Sequence, residues 1–101
     1  MQDKKPEKKV QSEIIKLLKD EGYYYAKTQK TSMNGVPDIL CCIEGRFAGI
    51  EVKAEGKREN ITALQTKNLA DIRIAGGYAL CTDNVEDVKT LIKTIKDREC
   101  L

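Results

Sequence analysis

The segment GVPDILCCIEGRFAGIEVK, residues 35–53, constrains this chain more than any other. Two short apolar runs flank a glycine turn, which is the pattern of a β-hairpin. Gly45 after Glu44 predicts a two-residue type II′ loop at Gly45-Arg46. Glu44 then pairs with Phe47, Leu40 lies opposite Glu51, and Asp38 lies opposite Lys53. Directly opposed residues share a face. One face therefore reads Ile39, Cys41 and Ile43 against Val52, Ile50 and Ala48, all apolar. The other reads Asp38, Leu40 and Cys42 against Lys53, Glu51 and Gly49. Asp38, Glu51 and Lys53 converge at one end of that face, and a slip of one residue would scatter them and break the apolar face as well.

The rest of the chain supplies partners for this hairpin. Val10, Ile14, Leu17 and Leu18 follow helical spacing from about Pro6 to Glu21, with Gly22 as the stop. YYYAKT, residues 23–28, is β-prone. KTSMNG (30–35) and AEGKREN (54–60) read as loops. A second helix runs from Thr62 to about Ala75 with Leu64, Leu69 and Ile72 on one side, and Gly76-Gly77 ends it. YALCT (78–82) is a strand. A last helix begins near Asn84 and carries Val85, Val88, Leu91, Ile92 and Ile95 inward. The expected architecture is α/β, in the order α-β-β-β-α-β-α. Three strands form a meander, a right-handed crossover helix leads to the fourth, and helices flank the mixed four-stranded sheet. The 101 residues suffice for one domain, residues 1–101, and one core.

Composition narrows the chemistry. The chain has no histidine, which removes Ser-His and Cys-His catalysis, a histidine base and histidine metal ligands. The four cysteines, Cys41, Cys42, Cys81 and Cys100, have no C-x-x-C spacing, so they read as small buried thiols rather than a zinc site. A net charge of +2 gives no bulk argument for nucleic acid. No apolar run is long enough to span a membrane, and the charged start MQDKKPEKK is not a signal peptide. The expectation is an intracellular, cytoplasmic protein with no membrane partner. Its chemistry is left to carboxylates, lysine and a metal that prefers oxygen.

Two acids held close together repel, and one resists ionising unless a cation joins them. A hard divalent ion takes carboxylates, a backbone carbonyl and waters. Lys53 beside such an ion could hold or deprotonate a water, or offset charge on a phosphate. That is a phosphodiester-hydrolysis site in outline. On charge alone the plainer reading is a surface ion pair of Asp38 with Lys53 and a solvated Glu51, and such pairs are weak.

The residues Pro37-Asp38 followed by Glu51-Val52-Lys53 resemble the PD-(D/E)XK nuclease superfamily. A longer string is more specific: Glu7-x-x-Val10-Gln11, Gly35-Val36-Pro37-Asp38, Gly45-Arg46, Ile50-Glu51-Val52-Lys53, Gln65 and Ala75-Gly76-Gly77. In that order, over nearly the whole chain, they resemble the small VRR-NUC domains that stand alone in phages and bacteria. The resemblance implies a restriction-endonuclease-like core and a DNA endonuclease dependent on Mg²⁺ or Mn²⁺. Asp38, Glu51 and the Val52 carbonyl would be ligands, and Lys53 would orient or activate water. The first helix also resembles archaeal four-way junction resolvases, which carry a glutamate where this chain has Gln11. Glu7, one turn earlier, is the substitute candidate, or Gln11 positions a water. The resemblance further implies a homodimer acting on branched DNA such as a Holliday junction.

Other candidates have competing roles. Glu7 also suits the first turn of a helix, where the dipole favours an acid. Thr62-x-x-Gln65 is a capping box, whereas the family reading puts Gln65 beside the metal; the two roles compete for one side chain. Lys27, Lys30, Lys57 and Arg58 flank the site in or near loops and are candidates for phosphate contacts, or simply solvated charge. The alternatives to a structure-selective nuclease are a non-catalytic DNA-binding or assembly module, a flap or single-strand nuclease, and a restriction-type enzyme, for which no target-recognition segment is visible.

Overall fold

The structure is a computed structural model that describes residues 3–28 and 35–99. Helix α1 (Glu7–Asp20) is followed by strands β1 (Tyr24–Lys27), β2 (Ile39–Ile43) and β3 (Arg46–Val52). A short 3₁₀ turn (Arg58–Asn60), helix α2 (Ala63–Ile74), strand β4 (Tyr78–Thr82) and helix α3 (Val85–Glu99) complete the chain. The four strands form one mixed sheet in the order β1-β2-β3-β4. The first three are antiparallel neighbours, and β4 joins β3 in parallel after the α2 crossover. Among the described residues no helix is long and apolar enough to cross a membrane.

The apolar periodicities explain where the helices sit. Val10, Ile14 and Leu18, four residues apart, form one stripe of α1, and each is fully buried. Val88, Ile92 and Ile95 do the same for α3. Both stripes pack into one cluster with Ile39, Cys41, Ile43, Ala48, Ile50 and Val52, the apolar face read from the hairpin. Helix α2 covers the other face. There the match to the expected stripe is incomplete: Leu69 is buried, but Leu64 is 45% exposed. Glycines end α1 and α2 with the same bond pairs: Gly22 N–H to the Lys19 carbonyl and Tyr23 N–H to Leu18, then Gly76 N–H to Arg73 and Gly77 N–H to Ile72. Asn84 begins α3, its Oδ1 accepting from the Asp87 N–H at 2.9 Å.

The hairpin register differs from the expected one. Leu40 pairs with Gly49, not Glu51, and Ile43 pairs with Arg46. The two-residue loop is Glu44-Gly45 rather than Gly45-Arg46. Both loop residues have positive φ, 50° and 79°, which makes the turn type I′ rather than II′. That turn follows the right-handed twist of the flanking strands, and the Tyr23 hydroxyl donates to Glu44 Oε2 at 2.6 Å to hold its unusual residue. The shift is two residues, and side chains alternate with period two, so every face assignment survives. Extended by one step, the observed register sets Asp38 opposite Glu51 instead of Lys53.

Gly49 decides how closely α2 approaches this face. A Cβ there would come within 2.7 Å of Ile72 Cδ1 and 3.1 Å of the Pro37 ring. A side chain would wedge α2 and the Pro37-Asp38 segment away from β3. Gly49→Val is expected to destabilise the protein by about 1–3 kcal/mol through overpacking, as read from urea unfolding, and to disturb Asp38 as well as α2. Unchanged stability would mean that the face is more loosely packed than these distances imply.

Candidate functional site

The site gathers where β2 begins and β3 ends. The chain enters β2 through Pro37, which is buried. The Thr28 hydroxyl donates to the Pro37 carbonyl at 2.7 Å and the Thr28 N–H to the Asp38 carbonyl at 2.9 Å. These two bonds fix the backbone on either side of Asp38. Its carboxylate is then held from the neighbouring strand, with Oδ2 accepting the Val52 N–H at 2.8 Å. Val52 itself is fully buried in the core on the opposite face, so only its backbone can serve the site.

Glu51 is the most constrained polar group. It is 3% exposed, and its Oε1 is buried with no hydrogen-bond partner among the described residues. Its other oxygen lies 3.4 Å from Lys53 Nζ. Burial, then the Asp38 charge and the hydrogen bond that only a protonated Glu51 can donate to Asp38, push its pKa up to about 7, against a smaller opposing pull from Lys53. The sequence reading of a solvated Glu51 beside an Asp38–Lys53 surface pair therefore gives way to a buried acid. The ion pair is Glu51 with Lys53, and Asp38 takes a backbone N–H instead. Two residues back on the same face, Gly49 lets Ile72 of α2 and the Pro37 ring approach the sheet closely.

Lys53 is held from two sides. Its Nζ donates to Gln65 Oε1 at 2.9 Å, and its backbone N–H donates to the Thr82 carbonyl at 2.8 Å, prolonging the β3–β4 pairing. Gln65 also completes the capping box of α2: its Oε1 accepts from the Thr62 N–H at 3.0 Å and its N–H donates to Thr62 Oγ1 at 3.1 Å. The expected competition between cap and site does not arise, because an amide oxygen has two lone pairs and serves both donors. The helix cap thus positions the lysine.

Not every candidate joins this group. Gln11 is half-buried on α1, and none of the hydrogen bonds that link Asp38, Val52, Lys53 and Gln65 reaches it. Glu7 is exposed in the first turn of α1. Among the described residues no group of three or more acidic, cysteine or histidine side chains could share a metal ion, so Glu7 stands apart from the Asp38–Glu51 pair. Lys27 is exposed at the end of β1, opposite Ile39 and thus beside Asp38 in the chain order of the sheet. Lys57 is exposed in the loop after β3. Arg58 faces two acids, with Nε 3.7 Å from Asp83 Oδ1 and Nη1 3.5 Å from Asp87 Oδ2. Lys30 lies outside the described residues.

One neighbour escaped the sequence reading. Cys81 pairs with Glu51 across the parallel ladder and so shares its face. Burial, then the Glu51 charge, raise its thiol pKa. Nothing in YALCT alone reveals this, because the register of a parallel crossover is set by packing rather than by a turn.

The donors at hand are the oxygens of two carboxylates, Asp38 and Glu51, one of them the poorly satisfied Glu51 Oε1. Oxygen donors of this kind fit a hard divalent cation better than a soft one. The buried acid also has a measurable consequence without any metal. Folded Glu51 keeps its proton to about pH 7, against an ordinary value of 4.5. The folded state therefore holds more protons than the unfolded state between those values, and stability falls as pH rises through that window. Glu51→Gln removes this titration. In chelator-treated samples the variant is expected to match wild type below pH 4.5 and to exceed it above pH 7 by on the order of 1–3 kcal/mol. A pH-independent difference would contradict the buried-acid assignment. Compared with known proteins, the chain matches no protein-family model and no curated protein.

Proposed function

We propose that this protein is a divalent-metal-dependent DNA endonuclease that hydrolyses phosphodiester bonds at Asp38, Glu51 and Lys53. The observation that carries the reading is the buried Glu51, with one oxygen unpartnered among the described residues, set between Asp38 and a lysine held by Gln65. A protein gains nothing in stability from such a group. Leaving a buried acceptor unsatisfied costs about 1–3 kcal/mol, and perturbed acids of this kind gather where chemistry is done. The order of motifs that resembles VRR-NUC domains supports the same reading, as does the lack of histidine, which leaves few other routes to hydrolysis.

In this reading Asp38, Glu51 and the Val52 carbonyl hold Mg²⁺ or Mn²⁺. When bound, the ion supplies Lewis-acid chemistry, offsetting charge on a phosphoryl oxygen and making water more acidic. The chain's own groups do the rest. Asp38 is aimed by the Val52 N–H. Glu51 gives up its proton on binding, so binding strengthens as pH rises towards and through about 7. Lys53, with Nζ fixed between Glu51 and Gln65, orients the attacking water or meets the charge that develops on the phosphate. The resemblance also favours a homodimer making paired cuts in a four-way junction. The rival is a DNA-binding or assembly module of the same shape that cuts nothing.

The test joins binding to cleavage on a panel of branched, flapped, single-stranded and linear DNAs. Mg²⁺ or Mn²⁺ is expected to raise the melting temperature of wild type but not of Glu51→Gln or Asp38→Asn. Lys53→Ala should retain the metal-induced shift and lose cleavage by about 10²-fold or more. Strand-labelled junctions in the same assay separate paired cuts from single ones. Intact metal binding with no cleavage of any DNA by wild type would favour the rival.

Gln65 offers a finer check. Gln65→Ala and Thr62→Ala each break the capping box and should each cost about 1 kcal/mol of stability. Only Gln65→Ala also releases Lys53, so it alone is expected to lower the cleavage rate at saturating DNA. Equal rates for the two variants would assign Gln65 to the cap and nothing more.

A further inference from the structure

At the other end of β3 and β4 from the acids, a cleft of about 470 Å³ is lined by Arg46, Arg73 and Arg98 together with Tyr78 and Glu99. The three guanidiniums come from three elements: the first residue of β3, the last turn of α2 and the last turn of α3. Each has an anchor among the described residues. Arg46 Nη2 lies 2.7 Å from Glu99 Oε1. Arg73 Nη2 donates to the Ala79 carbonyl at 2.9 Å. The Arg98 guanidinium sits 5.7 Å from the centre of the Tyr78 ring.

A guanidinium has five N–H donors, so each anchor leaves donors free while limiting the freedom of the head group. Among the described residues three cations share the cleft with a single lining carboxylate, and Arg98 has no acidic partner. The contrast with the neighbouring cleft beside Leu80 is informative. There Arg58 is the lining cation, and it is answered by Asp87. A surplus of fixed, forked donors with little internal neutralisation is the chemistry that recognises phosphate oxygens.

We propose that this arginine cleft is a second, non-hydrolytic phosphate site that grips the backbone of a nucleic-acid strand. Glu51 lies five residues along β3 from Arg46. That separation is roughly 17 Å, or about five base-pair steps of duplex, and because it is an odd number of residues the two side chains leave opposite faces of the sheet, so the cleft grips a part of the nucleic acid that does not lie on the face carrying the acids. Phosphate contacts of this kind set register and orientation and carry no sequence information. The choice of nucleic acid as the source of the phosphate rests on the proposed nuclease function; the anion chemistry of the cleft does not.

The experiment is fluorescence-anisotropy binding of a short labelled duplex, in chelator so that nothing is cut, across a series of salt concentrations. Arg98→Gln removes the guanidinium that sits over the Tyr78 ring, and Arg73→Gln with Arg98→Gln removes two of the three forks. Circular dichroism confirms folding, and Lys93→Gln, an exposed lysine paired with Asp97, controls for loss of net charge. The double variant is expected to bind about tenfold more weakly and to reduce the slope of log affinity against log salt by about 2, Arg98→Gln by about half of that slope change, and Lys93→Gln hardly at all. A folded double variant with wild-type affinity and salt slope would overturn the proposal. Arginine-dependent binding of inorganic phosphate alone, without arginine-dependent binding of the duplex, would overturn the nucleic-acid assignment. Cleavage assays keep the two readings apart. Cutting by wild type that is indifferent to both arginines leaves the nuclease and removes the cleft; arginine-dependent binding with no cutting under any metal does the reverse.

Discussion

The two-residue turn at Glu44-Gly45 is the constraint on which the rest of the structure depends. With both residues in the left-handed region, it closes the hairpin in a single register. That register gives one face of β2 and β3 entirely to Ile39, Cys41, Ile43, Ala48, Ile50 and Val52, the surface on which α1 and α3 condense. It gives the other face Gly49, the gap through which Ile72 and Pro37 close in, and Glu51 one step beyond the last paired position. A slip of a single residue would put Ile50 and Val52 under α2 and Glu51 into the α1–α3 core, where neither a lysine nor a second acid could meet it. The core and the site are therefore products of the same pairing. A change that loosens the turn weakens both together.

The site shows what the fold gives up for this arrangement. Glu51 is buried where neither of its oxygens is well solvated, and, once ionised, one has no hydrogen-bond partner among the described residues. Burial and a neighbouring carboxylate both work against its charge, and Lys53 compensates only in part. The surroundings are meanwhile over-determined. Thr28 fixes the backbone at Pro37 and Asp38, the Val52 N–H fixes the Asp38 carboxylate, and Gln65 fixes Lys53. Strong local constraint around a poorly satisfied group is the signature of a position kept for something other than stability. The double service of Gln65 ties the start of α2 to the lysine, so helix capping and charge placement become one interaction.

Much of this was legible from residue patterns, and the reasons are local. The stripes Val10-Ile14-Leu18 and Val88-Ile92-Ile95 announce helices because burial selects a 3.6-residue period. The glycines at 22 and 76 mark helix ends because few other residues can make the bonds that close them. The shared face of Asp38, Glu51 and Lys53 was readable because alternation along a strand survives an error of two residues in register. The turn itself is not legible: Gly45 suits either position of a tight loop, and the decision falls to Glu44, a residue that rarely adopts positive φ and is held there by Tyr23 from outside the hairpin.

The sequence by itself determined the helices, the strands, the apolar face and the one end of one face on which three charges collect, because each follows from periodicity within a dozen residues. Only the tertiary structure decided that Glu51 is buried and Asp38 is not its lysine's partner, that Gln65 reaches across from α2, that Cys81 lies beside Glu51, that Glu7 stands away from the acids, and that Arg46, Arg73 and Arg98 share a cleft. These depend on how α2 and β4 dock against β3 through a parallel crossover. No turn sets that docking. It is chosen by packing such as that of Ile72 against Gly49, and so it is written in contacts between distant residues rather than in any short stretch of the chain.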